Sequence, residues 1–147
     1  MKVGCTATHK GLRPLQKDGI RKVLQDFYDK GARELHHGDC IGGDDQIATI
    51  AQQIGYRLVA HPGFNPKKVA DTSFRAFHPS HVLLPVKPFL MRDRDIVDAV
   101  DVMVAGPLNP YEVRRSGTWT TVRYCRDKVK KPLYIVCPNG EVEQYNV

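Results

Sequence analysis

Between residues 14 and 30 apolar side chains recur every three or four positions: Leu15, Ile20, Val23, Leu24, Phe27 and Tyr28. Lys17, Asp18, Arg21, Lys22 and Asp26 fill the gaps. This spacing predicts an amphipathic helix. Pro14 suits its first turn and Gly31 its end. Ile47, Ala48, Ala51 and Ile54 repeat the pattern in a second helix, closed by Gly55. Three short β-prone stretches flank these helices: residues 2–7 (KVGCTA), 33–37 (RELHH) and 56–61 (YRLVAH). The resulting order, strand-helix-strand-helix-strand, implies a parallel sheet with right-handed crossovers.

The second half continues the alternation. Residues 88–99 (PFLMRDRDIVDA) predict a helix and 100–105 (VDVMVA) a buried strand. Thr118–Lys130 predicts another helix and 133–137 (LYIVC) another buried strand. After the turn Pro138-Asn139-Gly140, the run EVEQY reads as a short edge strand. Between 62 and 87 the prolines Pro62, Pro66, Pro79 and Pro85 interrupt any periodicity. A loop with a short helix near Lys67–Asp71 is expected there, and loops of that length are often functional. No repeat or compositional break divides the chain. The expectation is a single three-layer α/β domain over residues 1–147, with a mostly parallel central sheet of about five strands and a short C-terminal edge strand.

Composition narrows the class. At 147 residues, 41% hydrophobic and 26% charged, the chain can bury a core of its own. No apolar run reaches the length of a membrane span, and the N-terminal stretch lacks a secretory cleavage pattern. Cys5, Cys40, Cys125 and Cys137 are scattered without a CxxC pair. Free thiols in a reducing cytoplasm are the expectation. The net charge of +6 suits anionic partners. The basic residues are mixed with Asp and Glu and are not interleaved with aromatics. A small anionic ligand therefore fits better than a nucleic-acid strand.

In an open parallel sheet, ligands bind beyond the carboxyl ends of the strands, where strand order reverses. Four segments are expected at that edge. The first is Thr6, Thr8, His9 and Lys10, after the first strand. The second, Gly38, Asp39, Gly42, Gly43 and Asp44, leads into the second helix. There an acidic side chain suits helix capping or ligand hydroxyls better than phosphate. The third is Arg92 with Asp93. The fourth, Arg115, Ser116, Gly117 and Thr118, stands at a helix start, where unpaired amides and about half a positive charge attract phosphate. His36, His37, Asp39 and Cys40 form the nearest group of metal-type donors. Neighbouring strand residues point to opposite faces, so no metal site is expected there, and no cofactor is implied. Trp119 reads as a core residue.

Taken together, HHGDCIGGDDQIATIAQQIGYRLVAHPG, FLMRDRDIVDAVDVMVAGP and RRSGTWTTVRYCRDKVKKPLYIVCPNG resemble the SLOG superfamily. That Rossmann-like group includes the LOG-type proteins, the DNA-processing DprA proteins and small phage and bacterial relatives. The opening VGCTATHKGL is similar to the first loop of the small members. The resemblance implies a Rossmann-like sheet that binds nucleotides or nucleotide-derived signals, and frequent homodimerisation. It places a phosphate loop on Ser116, Gly117 and Thr118 and a second loop on Gly38, Asp39, Gly42, Gly43 and Asp44. An Arg-Asn pair of many small relatives falls on Arg92 and Asp93, with Asp replacing Asn.

One departure bears on activity. LOG-type phosphoribohydrolases carry a glutamate where this chain has Thr121, and a threonine cannot act as a carboxylate base. The leading expectation is therefore a sensor or sequestering module for a phosphate-bearing nucleotide. The alternative is cleavage or transfer of a nucleotide's N-glycosidic bond, with Asp93, Glu112 or Asp44 supplying the carboxylate. The second alternative is DprA-like binding of single-stranded nucleic acid.

Overall fold

The computed structural model describes residues 1–147. In chain order the elements are β1 (Lys2–Ala7), α1 (Pro14–Asp29), β2 (Glu34–His37), α2 (Gly43–Ile54), β3 (Arg57–Ala60), β4 (Gly63–Phe64), β5 (Val82–Leu83), β6 (Lys87–Pro88), α3 (Phe89–Ala99), β7 (Val102–Gly106), α4 (Gly117–Arg123), β8 (Leu133–Val136) and β9 (Val142–Tyr145). The helix begun by α4 continues in π-helical form over Tyr124–Val129. The central sheet has seven strands in the order β5-β3-β2-β1-β7-β8-β9. All neighbours in it are parallel except the β8–β9 pair. The chain builds outward from β1 through β2 to β3, then returns to lay β7 on the other side of β1. Strand order therefore reverses between β1 and β7.

The period-two alternation of a strand explains the two cores. Along β7, Val102 and Val104 face a core completed by Ile20, Leu24 and Phe27 of α1 and Ile47 and Ala51 of α2. Met103 and Ala105 face a second core with Ile96 and Val97 of α3 and Trp119 and Val122 of α4. Strands covered on both faces read as continuous apolar runs, as VMVA and LYIV do.

The structure corrects the sequence reading in four places. The sheet has seven strands because Val82–Leu83, only two residues between prolines, pairs with β3 at the edge. No helix forms near Lys67–Asp71. Residues 66–70 are all exposed, so no buried face stabilises a helix, and isolated turns form instead. Leu15 is 60% exposed, and the inward place on the first turn of α1 goes to Gln16. The Gln16 amide donates to the Pro107 and Val136 carbonyls at 2.8 and 2.9 Å, joining α1 to the segments that follow β7 and β8. Finally, the α-helix expected over Thr118–Lys130 changes to π geometry at Tyr124 and ends at Lys130, whose φ is +60°.

Two loops at the carboxyl edge are fastened backbone to backbone. Gly42 has a φ of +80°, and a Cβ there would run into the His9 carbonyl. Next to it, the Gly43 amide donates to the Thr8 carbonyl at 2.8 Å. Substituting Gly42→Ala meets both the left-handed backbone and this contact. It is expected to lower stability by about 2–4 kcal/mol. Urea unfolding of the variant checks this, and an unchanged midpoint would show that the two loops can separate freely.

Candidate functional site

A cavity of about 420 Å³ opens at the carboxyl edge, at the β1–β7 reversal. Four stretches of chain converge on it. Thr6–Lys10 arrive from the end of β1, and Cys40 and Asp44 from the turn between β2 and α2. Phe89, Arg92 and Asp93 come from α3, and Leu108, Asn109, Val113 and Arg115–Trp119 from the segment between β7 and α4. Phe74, from the proline-interrupted segment, completes the wall.

The head of α4 is open. A Cβ placed on Gly117 would meet nothing within 4 Å. Ser116 caps the helix by accepting the Trp119 amide at 3.3 Å. The Thr120 amide donates to the Ser116 carbonyl. The Gly117 and Thr118 amides precede the first intrahelical bonds and have no acceptor in the helix. Lys10 and Arg115 are exposed at the same cavity.

The opposite side of the cavity is acidic and buried. Arg92 is 8% exposed. Its Nε donates to Asp93 at 2.6 Å, and its Nη1 donates to the carbonyls of Gly38 and His61. Gly38 is required there because a side chain would occupy the space of Asp44 and Arg92. Asp44 is 6% exposed, and its Oδ1 has no hydrogen-bond partner. Burial pushes the Asp44 carboxyl up to about 7, against the opposing pull of the Arg92 charge. Burial also raises Asp93, while Arg92 and the Thr121 hydroxyl counteract it. The Cys40 thiol is pushed up to about 12 by burial and by the Asp44 charge, so it stays protonated. Trp119 lies in the second core, as its sequence context suggested, and also borders the cavity. Its Nε1 is buried without an acceptor.

Of the residues singled out from sequence, Thr6, Thr8, His9, Lys10, Asp44, Arg92, Asp93, Arg115, Ser116, Gly117 and Thr118 meet at this cavity. Others do not. Glu112 is not part of the cavity lining and is ion-paired with Arg123 and Arg126, both at 3.2 Å, so the geometry offers no support for a catalytic role there. Asp39 is 2% exposed and serves the neighbouring loop. Its carboxylate accepts from Arg75 Nε and Nη2 and from the His78 amide. Gly38, Gly42 and Gly43 create room for protein contacts and do not line the cavity. Thr121 sits behind Asp93, with its hydroxyl donating to the Gly117 carbonyl at 3.0 Å. The histidine pair of β2 splits between two environments: His36 meets His61 and Glu34, both at 2.7 Å, and His37 meets Ser80 at 2.8 Å. Phe74, Phe89, Cys40 and Asn109 were missed. Phe89 and Cys40 adjoin predicted motifs. Nothing in the pattern around Phe74 marks it.

No protein-family model matches the sequence, and no curated protein does. Solved structures with the same fold do exist. The chain is similar to the molybdenum cofactor binding protein from Rippkaea orientalis, with a TM-score of 0.66 at 14% identity, over 92% of this chain and 76% of that one. It is also similar to DNA processing protein A from Streptococcus pneumoniae, with a TM-score of 0.68 at 16% identity, covering 91% of this chain but 49% of that one. The molybdenum cofactor carrier protein from Chlamydomonas reinhardtii aligns with a TM-score of 0.60 at 19% identity, over 91% of this chain and 75% of that one. The chain thus has the Rossmann-like fold that the resemblance implied. At these identities the likeness is one of fold. No helix is long and apolar enough to cross a membrane.

The Asp44 shift has a measurable consequence. The carboxyl titrates near 3.8 in an unfolded chain and near 7 in the fold. Between those values the folded protein holds a proton that the unfolded chain has released. Its stabilising effect is present at acid pH and lost as pH rises through 7. Asp44→Asn removes this dependence. The variant's stability relative to wild type is expected to rise by about 2 kcal/mol between pH 5 and pH 8. Urea unfolding at the two pH values measures it, and a difference that does not move with pH contradicts the assigned titration.

Proposed function

We propose that this chain binds a phosphate-bearing nucleotide or nucleotide-derived small molecule in the β1–β7 cavity, as a sensor or sequestering module. The observation that carries the reading is the open head of α4. Two amides without intrahelical acceptors flank a glycine with free space beside it, and Lys10 and Arg115 stand at the same cavity. Backbone N–H groups, helix polarity and cationic side chains are the usual means of holding a phosphate. Asp44 and Trp119, each with one buried polar atom that has no partner in the protein, belong to the lining of the same cavity. A volume of about 420 Å³ suits one small ligand. The similarity to molybdenum cofactor binding and carrier proteins supports a small-molecule ligand.

Calorimetry and thermal shift with nucleoside monophosphates, NAD, ADP-ribose and cyclic dinucleotides test the reading. A specific ligand at a hundred times its Kd stabilises the fold by about 2.7 kcal/mol. Gly117→Ala has room for its methyl group and leaves the fold intact, so it is expected to weaken binding by blocking close approach to the amides. Arg115→Ala is expected to weaken binding about tenfold, through loss of a charge-assisted bond. Silence across the panel rejects the proposal. Preferential, steeply salt-dependent capture of single-stranded DNA would replace it with the reading prompted by the likeness to DNA processing protein A.

A second reading has one observation in its favour: Asp93 brings a carboxyl group to the cavity. On that reading the chain cleaves the ligand's N-glycosidic bond. Release of free base from a nucleoside monophosphate, abolished by Asp93→Asn, is its signature. Full binding without turnover leaves the module reading alone.

A further inference from the structure

The proline-interrupted segment contributes one large apolar side chain to the cavity, and that side chain is held without being buried. Phe74 lines the cavity and is 40% exposed. Its backbone is fixed on both sides. The Phe74 carbonyl accepts the Ile41 amide at 2.9 Å, and the Ala76 amide donates to the Asp39 carbonyl at 2.9 Å. Arg75 forms a β-bridge with Cys40 and a two-pronged contact with the buried Asp39 carboxylate. Further along, His78 is tied to Asp45 at 2.6 Å. A segment without a helix of its own is thus fastened to the turn between β2 and α2.

The ring has one aromatic neighbour, His9, which stands perpendicular to it with centroids 5.2 Å apart. A perpendicular partner covers one face of Phe74 at most. Phe77 differs. It is more exposed, but the Arg75 guanidinium lies over its ring at 4.3 Å, and it does not line the cavity. On the α3 side, Phe89 borders the same cavity and carries the Arg92 guanidinium 5.3 Å from its centroid. An aromatic ring whose backbone is held in place and whose side chain is half-exposed at the cavity wall is suited to stack on a flat partner.

We infer that Phe74 is a specificity-determining residue that stacks on a planar heteroaromatic ring of the ligand, while the ligand's phosphate occupies the head of α4. This rests on the phosphate-binding reading above and narrows it. The ligand class becomes a base-bearing phosphate, and a sugar phosphate alone is a poor ligand. Stacking lets Phe74 select for flatness and ring area without naming the base, because every base has a π-face.

The test uses the full chain with three probes: adenosine monophosphate, ribose 5-phosphate and inorganic phosphate. Wild type is expected to bind adenosine monophosphate at least tenfold more tightly than ribose 5-phosphate. Phe74→Ala is expected to weaken adenosine monophosphate about tenfold and to leave ribose 5-phosphate within twofold. Phe74→Tyr, which keeps the ring, is expected to restore the preference. Melting temperatures of both variants show whether the segment keeps its place. Equal affinity of wild type for the nucleotide and the sugar phosphate overturns the stacking role and leaves the phosphate site standing. Equal loss of both ligands in Phe74→Ala also overturns it, since the residue then acts only on the loop. If none of the three probes binds, the phosphate reading itself falls and takes this inference with it.

Discussion

A guanidinium removed from water has to place its donors on acceptors that the protein supplies, because burying a charge without partners costs several kcal/mol. Arg92 meets that requirement with groups from three elements. The Gly38 carbonyl follows β2, the His61 carbonyl follows β3, and the Asp93 carboxylate is its own neighbour on α3. Satisfying one side chain therefore fixes where α3 stands against the ends of two strands. Gly38 must lack a side chain so that Arg92 and Asp44 fit beside it. The cavity floor, with its two reluctant acids, follows from this arrangement. Without the Arg92 charge, neither carboxyl would have a compensating cation nearby, and burial would push both still higher.

The cavity combines opposite electrostatic characters. Toward α4 it offers unpaired amides and exposed cations. Toward α3 it offers carboxyls whose burial favours the protonated form. The half-buried Cys40 thiol is kept from ionising by the same surroundings, so it adds little nucleophilic reactivity to the site.

Most of the framework was legible in the sequence because amphipathic spacing and doubly buried strands are local, strong signals. The α1 and α2 stripes, the runs VMVA and LYIV, and the glycine at the head of α4 all fell where their patterns put them. What stayed hidden depends on contacts between distant residues. Gln16 breaks the apolar stripe of α1, yet it is buried because two carbonyls from other segments need its amide. Val82–Leu83 is too short to carry a period, and only the free edge of β3 makes it a strand. Asp39 resembles a ligand-binding carboxylate in sequence, but Arg75, thirty-six positions away, claims it. Glu112 is likewise drawn off by Arg123 and Arg126. Phe74 could not be recognised because its segment has no periodicity to argue from, and its position is set by bonds to the turn after β2.

The two margins of the central sheet also constrain how copies of this chain can meet. On one side β5 offers two residues of backbone, and on the other β9 is four residues long and carries Glu143. Short margins, one of them charged, give an incoming strand little to zip onto, which is how natural sheets discourage uncontrolled polymerisation. Joining copies of this chain edge to edge, into one longer sheet, would therefore gain few backbone hydrogen bonds per contact.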